Sequence, residues 1–339
     1  MKDIFVIVFT IIGALIGAGF ASGQELYSFF YIYGIKGIYG IIVTSILITI
    51  LIYKILKIIY IKKVKNYDEF LGIFIRNKKV IKIINLILNI LLLVTFYIMI
   101  AGFGAYFEQE IGLNKMIGSL ILIIMCFCVF QTSVEGVIKI SRYLVPILIL
   151  AIIVIGLINL LTLSTLNINI IDYKTNWLLS SITYSSYNII LLIPVLISLR
   201  NQVKKEKDIK YIAIISGSIT VILAIIIYTL LMRIDIDISK LEMPVVYMIR
   251  TFYGNFKTIY AFIILISIFT TAISIGTGLL QNLNKKGTSY TQFVIFLCIT
   301  SLIISNFGFS NLVKNVYPFF GYIGIIQIVL ILSKNICKK

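Results

Sequence analysis

Histidine is absent from the 339 residues, and proline, with four, cysteine, with four, and tryptophan, with one, are nearly so. Without histidine there is no Ser–His or Cys–His nucleophile pair, no imidazole proton relay and no His-ligated metal centre. Cys126, Cys128, Cys298 and Cys337 lie within or beside apolar stretches. On a helix Cys126 and Cys128 point to different faces, so they read as small apolar side chains rather than zinc ligands. Charge is scarce as well. Only 13% of residues are charged against 60% hydrophobic, a balance that would leave a soluble domain with far too much apolar surface in water. Acidic residues number 13 against 30 basic ones. The basic residues are strung between hydrophobic runs with no soluble domain to carry them, so no nucleic-acid partner is implied. With no facing carboxylate pair either, an enzyme is not expected. No repeated filter or ring-forming motif points to a passive channel.

What the chain does have is long apolar runs, each near the 20 residues a helix needs to cross a bilayer. They lack the period-2 alternation of barrel strands. The sequence therefore predicts an all-α, multi-pass membrane protein whose partners are the lipid bilayer and a small-molecule solute. Ten spans are expected, near 4–33, 36–61, 80–107, 116–134, 143–165, 177–199, 210–232, 258–282, 290–306 and 312–333. Hydrophobicity continues from Lys2 to Tyr33, so the first segment reads as a retained span and not a cleaved signal peptide. Lysine and arginine gather in 54–82, 200–210 and 334–339. The positive-inside rule then puts both termini in the cytoplasm of a bacterial cell. The polar stretch from Asn167 to Asn176 divides five helices, residues 1–165, from five more, residues 166–339. An odd number per half forces opposite orientations, the arithmetic of an inverted repeat in a single membrane domain.

Residues 4–33 as one straight helix would be about 45 Å long, well beyond a core of roughly 30 Å. Gly13, Gly17, Gly19 and Gly23 permit a break there, which would free backbone N–H and C=O groups toward a protein-lined cavity. The same glycines also form small-xxx-small packing motifs. Glu25 favours the cavity, because an ionisable group within a span faces a partner or a path. The first helix of the second half carries Ser180, Ser181, Thr183, Tyr184, Ser185, Ser186, Tyr187 and Asn188, the most polar stretch in any span. A bundle can absorb such groups on backbone carbonyls, but the cluster suits a solute-facing wall, with Tyr184 and Asn188 on one helical face. Phe96, Tyr97 and Phe103 are further candidates for lining a cavity, Glu108 and Glu110 are expected to be solvated, and 233–255 reads as an outer loop able to fold down as a lid.

Ile16-Gly17-Ala18-Gly19-Phe20 resembles the break in the first helix of the amino acid–polyamine–organocation superfamily, and Gly17 to Glu25 is most similar to the YkvI family of bacterial membrane proteins. The resemblance implies the LeuT-type fold of two inverted five-helix repeats, with helices 1 and 6 broken. It implies a secondary transporter of an amino acid or related amine, coupled to sodium or protons, with no other cofactor. It places amides near Ala18 and Gly19 against the carboxylate of such a solute; Glu25, Tyr184, Ser185 and Asn188, taken from the polar residues of the two spans, complete the expected site. It places a cation among carbonyls of Gly13 and Ile16 and oxygens of Ser267, Thr270 and Thr271, a set of hard ligands suited to sodium. The chain departs from the pattern at Gln24 and Glu25 and in lacking a glycine in the sixth span. Glu25 is open to three roles: pairing with a solute amine, carrying a coupling proton, or binding a basic helix. A non-transporting nutrient sensor, like the spore-germination permease-like proteins, is the other function such a fold allows.

Overall fold

A computed structural model describes residues 2–131, 133–161, 175–234, 236–283, 288–305 and 309–334. Among them every regular element is helical. In chain order they are α1 (Lys2–Leu15), α2 (Ala18–Ala21), α3 (Gln24–Phe29), α4 (Ile35–Lys62), α5 (Tyr67–Gly72), α6 (Lys78–Tyr106) and α7 (Lys115–Phe130), then α8 (Ser133–Leu161), α9 (Trp177–Ser198), α10 (Glu206–Leu231), α11 (Pro244–Phe252), α12 (Lys257–Asn282), α13 (Thr288–Ile304) and α14 (Phe309–Ser333). Seven helices are long and apolar enough to cross a membrane, and three shorter apolar ones, Ile4–Leu15, Lys115–Phe130 and Tyr290–Ile304, lie at the first, fourth and ninth expected spans. The division at 165/166 falls outside the described residues, as do Lys285, Lys286, Cys337, Lys338 and Lys339. Local signals start several helices: Asn66, Asn77 and Asn114 accept backbone N–H groups from Glu69, Lys79 and Met116 at the first turns of α5, α6 and α7.

The first span is broken, as its glycines suggest. α1 stops at Leu15, α2 occupies one turn, and α3 starts only after Gly23 has entered the left-handed region at φ 84°, a conformation glycine adopts without steric cost. The sixth span is not broken, which corrects the expectation for helix 6. α9 runs as one helix from Trp177 to Ser198 even with Pro194 inside it. Its hydroxyls remove the reason to unwind: Ser181, Thr183, Ser185 and Ser186 each donate to a carbonyl four residues earlier. No glycine in the segment invites a turn, and the polar groups satisfy themselves inside an apolar bundle.

Helix α1 packs against α8, α9, α10 and α12, and α9 against α4, α12 and α14. Helix α9 is the most enclosed, buried continuously from Thr183 to Ile197, whereas α4, α6, α8, α10 and α14 each turn Ile, Leu or Phe side chains outward. Between such apolar helices, small residues and close packing supply the association. A Cβ on Gly321 of α14 would stand 2.5 Å from the backbone oxygen of Thr183 on α9. Gly321→Val should therefore cost about 1–3 kcal/mol by overpacking, lowering the midpoint of thermal unfolding in detergent. Ile326→Val, on the outward face at 67% exposure, should stay within about 0.5 kcal/mol of the parent. Equal midpoints for the two variants would show that α9 and α14 do not meet at Gly321.

Candidate functional site

Glu25 lies in the first turn of α3 and is 3% exposed. Its side chain folds back over the break in the first span, so that a Cβ on Gly19 would sit 2.7 Å from Cγ and 2.8 Å from Cδ of Glu25 and overlap Oε1. Gly19 is thus held to glycine by close approach. The other carboxylate oxygen, Oε2, accepts hydrogen bonds from the hydroxyls of Tyr184, at 3.1 Å, and Tyr187. Both tyrosines stand on α9, three residues apart and so on one face. Phe29 meets Tyr184 edge-on at 5.1 Å between ring centroids and stacks on Tyr187 at 5.6 Å. Tyr317 from α14 stacks on the far side of Tyr187 at 4.7 Å. Phe29, Tyr187 and Tyr317 are each 2% exposed and Tyr184 is 4% exposed. A buried carboxylate held by two phenol hydroxyls of an aromatic cluster is the centre of this arrangement.

A second cluster lies on the α1 side of the same break. Ser267 of α12 donates to the carbonyl of Ile16 at 2.7 Å, and Thr271, one turn on, donates to the carbonyls of Gly13 at 2.8 Å and Ile16 at 3.0 Å. These four oxygens converge because α1 ends at Leu15 and the last carbonyls of a helix have no partner within it. Thr270 turns elsewhere, onto Ile266 and Ser267 of its own helix.

The remaining expected residues take other positions. Ala18, fully buried, abuts α6, where a Cβ on Gly102 would lie 3.1 Å from its methyl. Ser185 donates to Ser181 and Asn188 to the carbonyl of Tyr184, both within α9. Phe96 packs on Phe130, Tyr97 pairs with the hydroxyl of Thr300 at 2.6 Å, and Phe103 stacks on Phe107. All three serve the α6, α7 and α13 contacts rather than Glu25. Glu108 is exposed as expected. Glu110 is not: its side chain is 1% exposed, and Arg250 and Lys257 lie 3.5 Å from its two oxygens. Among the described residues Glu25 has no such basic partner. The ion pairs among the described residues join Lys57 to Glu206, Lys240 to Asp237, and Arg250 and Lys257 to Glu110. Tyr187, Tyr317 and Phe29 went unselected in the sequence, although the spacing of Tyr187 from Tyr184 was signal enough to include it.

Both ends of the bundle close over these groups. At the end opposite the lysine-rich segments, the backbone N–H of Val245 in α11 donates to Ser22 at 3.0 Å, and Gln24 donates to the carbonyls of Leu241 and Glu242. Glu242 in turn accepts the backbone N–H of Ser310 at 2.7 Å. Leu241, Glu242 and Val245, within the expected lid 233–255, thus meet Ser22 and Gln24 beside the break. Beside it opens a cavity of about 440 Å³ lined by Tyr27, Phe29, Ser180, Thr183, Lys314 and Tyr322 among others. Phe29 separates that cavity from the tyrosines on Glu25. At the lysine-rich end, Tyr67 of α5 donates to Gln327 of α14 at 3.0 Å, and Asn282 of α12 bridges Asn85 and Asn89 of α6.

Comparison with known proteins gives the family and the fold. No family model matches the chain. Two proteins of Bacillus subtilis (strain 168) are similar over nearly their whole length: the membrane protein YkvI, 30% identical over 98% of this chain and 96% of its own, and the protein YyaD, 27% identical over 97% and 96%. Among solved structures, MhsT in complex with L-phenylalanine superposes with a TM-score of 0.65 at 15% identity, covering 96% of this chain and 88% of its own. The Eremococcus coleocola manganese transporter, in complex with an aromatic bis-isothiourea compound, gives 0.65 at 14%, covering 98% and 78%. The fold is the LeuT type.

Removing one phenol hydroxyl from a buried acceptor costs about 1–3 kcal/mol. Tyr187→Phe should therefore lower stability by that amount with Glu25 present and by much less in a Glu25→Ala background, a coupling that a double-mutant cycle of thermal or denaturant unfolding reads directly. Equal losses in the two backgrounds would mean that the hydroxyl does not serve Glu25.

Proposed function

Since the chain belongs to the YkvI family of bacterial membrane proteins, we propose that it works as a secondary active transporter, moving a small polar solute by cation-coupled alternating access across the cell membrane. The solute is an amino acid or a related amine, and the coupling ion is sodium or a proton. The observation that carries this reading is the break in the first span, which presents freed carbonyls to the hydroxyls of α12 on one side and a buried carboxylate to α9 on the other. A helix interrupted at mid-bundle, lined by polar groups and closed at both ends, is the arrangement that lets one site face either side in turn.

The chemistry follows from those groups. With a cation bound, Ser267 and Thr271 would rotate their hydroxyl protons away and present lone pairs beside the carbonyls of Gly13 and Ile16, so that dipoles replace the hydration shell. The negative end of the α1 dipole adds to that attraction. The cation would then hold α1 against α12, and a ligand that binds one arrangement of two helices more tightly shifts the population toward it. If the ion is a proton, Glu25 is the titratable group among the expected site residues, and its two phenols hold the carboxylate in place. The L-phenylalanine in the MhsT complex supports an amino-acid-sized solute in this fold.

Uptake into liposomes holding the purified protein, with and without a sodium or proton gradient, tests the reading. Gradient-driven accumulation is expected. Saturable binding without accumulation would indicate a sensor and sink it. For sodium, Thr271→Ala should reduce the stimulation of uptake by sodium at least tenfold. Stimulation that survives the substitution unchanged would remove the oxygens of Gly13, Ile16, Ser267 and Thr271 from consideration.

A further inference from the structure

The carboxylate of Glu25 fills space that a solute would otherwise have. Its Oε1, Cγ and Cδ stand where a side chain on Gly19 would begin, against the backbone of the break. A solute bringing its own carboxylate to Ala18 and Gly19 would meet those atoms, and would set a second negative charge beside the first in a dry site where repulsion is poorly screened. Among the described residues, moreover, no ion pair includes Glu25. A buried carboxylate held only by two hydroxyls still calls for positive charge. The rings of Phe29, Tyr184, Tyr187 and Tyr317 pack on one another next to the hydroxyls that meet its Oε2, and the electron-rich faces of such rings attract ammonium groups.

From this we infer that Glu25 is a built-in anion that takes the place of a solute carboxylate, and that the solute is a small primary amine carrying an ammonium group and no carboxylate. This rests on the transporter reading of the same site and narrows it. The ammonium approaches Oε1, the oxygen that neither phenol occupies. The carboxylate of an amino acid is excluded by volume and by charge.

Matched pairs that differ only in the carboxylate test the inference: phenethylamine against phenylalanine, and isoamylamine against leucine. The readout is the thermal midpoint of the full-length protein in nanodiscs, which a ligand of the native state raises in proportion to occupancy. The amines are expected to raise it saturably, and the parent amino acids not at the same concentrations. Glu25→Gln, which keeps the shape and the phenol contacts but not the charge, should weaken the amines at least tenfold. Glu25→Gly, which clears the space over Gly19, should reverse the preference within each pair. Stabilisation of the parent protein by the amino acids, or by neither amine, overturns the inference. So does undiminished amine affinity in Glu25→Gln, which would leave Glu25 to a coupling proton. The two readings fail separately: gradient-driven uptake of an amino acid sinks this one and keeps the transporter, whereas tight amine binding without uptake sinks the transporter and keeps this one.

Discussion

One carboxylate inside an apolar bundle sets the terms for its neighbours. Away from water, Glu25 needs donors, and the described donors are the hydroxyls of Tyr184 and Tyr187. To bring two phenols to one oxygen, α9 must stay wound, because residues three apart share a face only on an intact helix. The carboxylate must also pass close to the break, so position 19 must carry no side chain. Left-handed Gly23 sets where α3 begins, and the aromatic stack through Tyr187 to Tyr317 ties α14 to the same point. The helix that the family pattern would have broken is continuous for the same reason that the carboxylate is tolerated.

The two sides of the break present different acceptors, backbone carbonyls on one and a carboxylate on the other. Carbonyls released at the end of α1 present partial negative charge, which draws the hydroxyls of α12 and suits a cation. On the other side, the backbone approaches Glu25 so closely that the protein's own carboxylate occupies the region. A single interruption of about two residues between α1 and α2 therefore keeps an oxygen-rich cluster and an aromatic, anionic one a few residues apart in sequence. Helix α9 does not repeat this pairing, since Ser185, Ser186 and Asn188 spend their donors on their own backbone.

Much of this was legible in the sequence, and the exceptions have physical causes. Uncharged runs of span length set the helices, since the bilayer admits few alternatives. The glycines and the excessive length of the first span marked its break. The convergence of Gly13, Ile16, Ser267 and Thr271 came through a resemblance, since no local rule pairs residues some 250 positions apart. Helix 6 was misread because hydroxyls that line a cavity and hydroxyls that bond back to the preceding turn leave the same pattern of letters. Glu110 was misread because its partners Arg250 and Lys257 lie far along the chain, and proximity to a span end says nothing about a lid folding over it. Tyr317 was invisible for the same kind of reason: an aromatic in a membrane helix carries no mark of the ring it will stack on.

Gln24 and Glu25 make the last connection, between the site and its closure. They are adjacent, and adjacent residues on a helix project in different directions. Gln24 reaches the carbonyls of Leu241 and Glu242, in the segment that folds down over the break, while Glu25 reaches the phenols of α9. The buried Oε1 of Gln24 has no hydrogen-bond partner, so that contact rests on its amide donors alone. Phe29, at the other end of the six-residue α3, stands between the open cavity and the tyrosines. On the proposed reading, a charge that drew Glu25 away from its phenols would also bear on the contact of Gln24 with Leu241 and Glu242, because both residues stand in the first turn of α3.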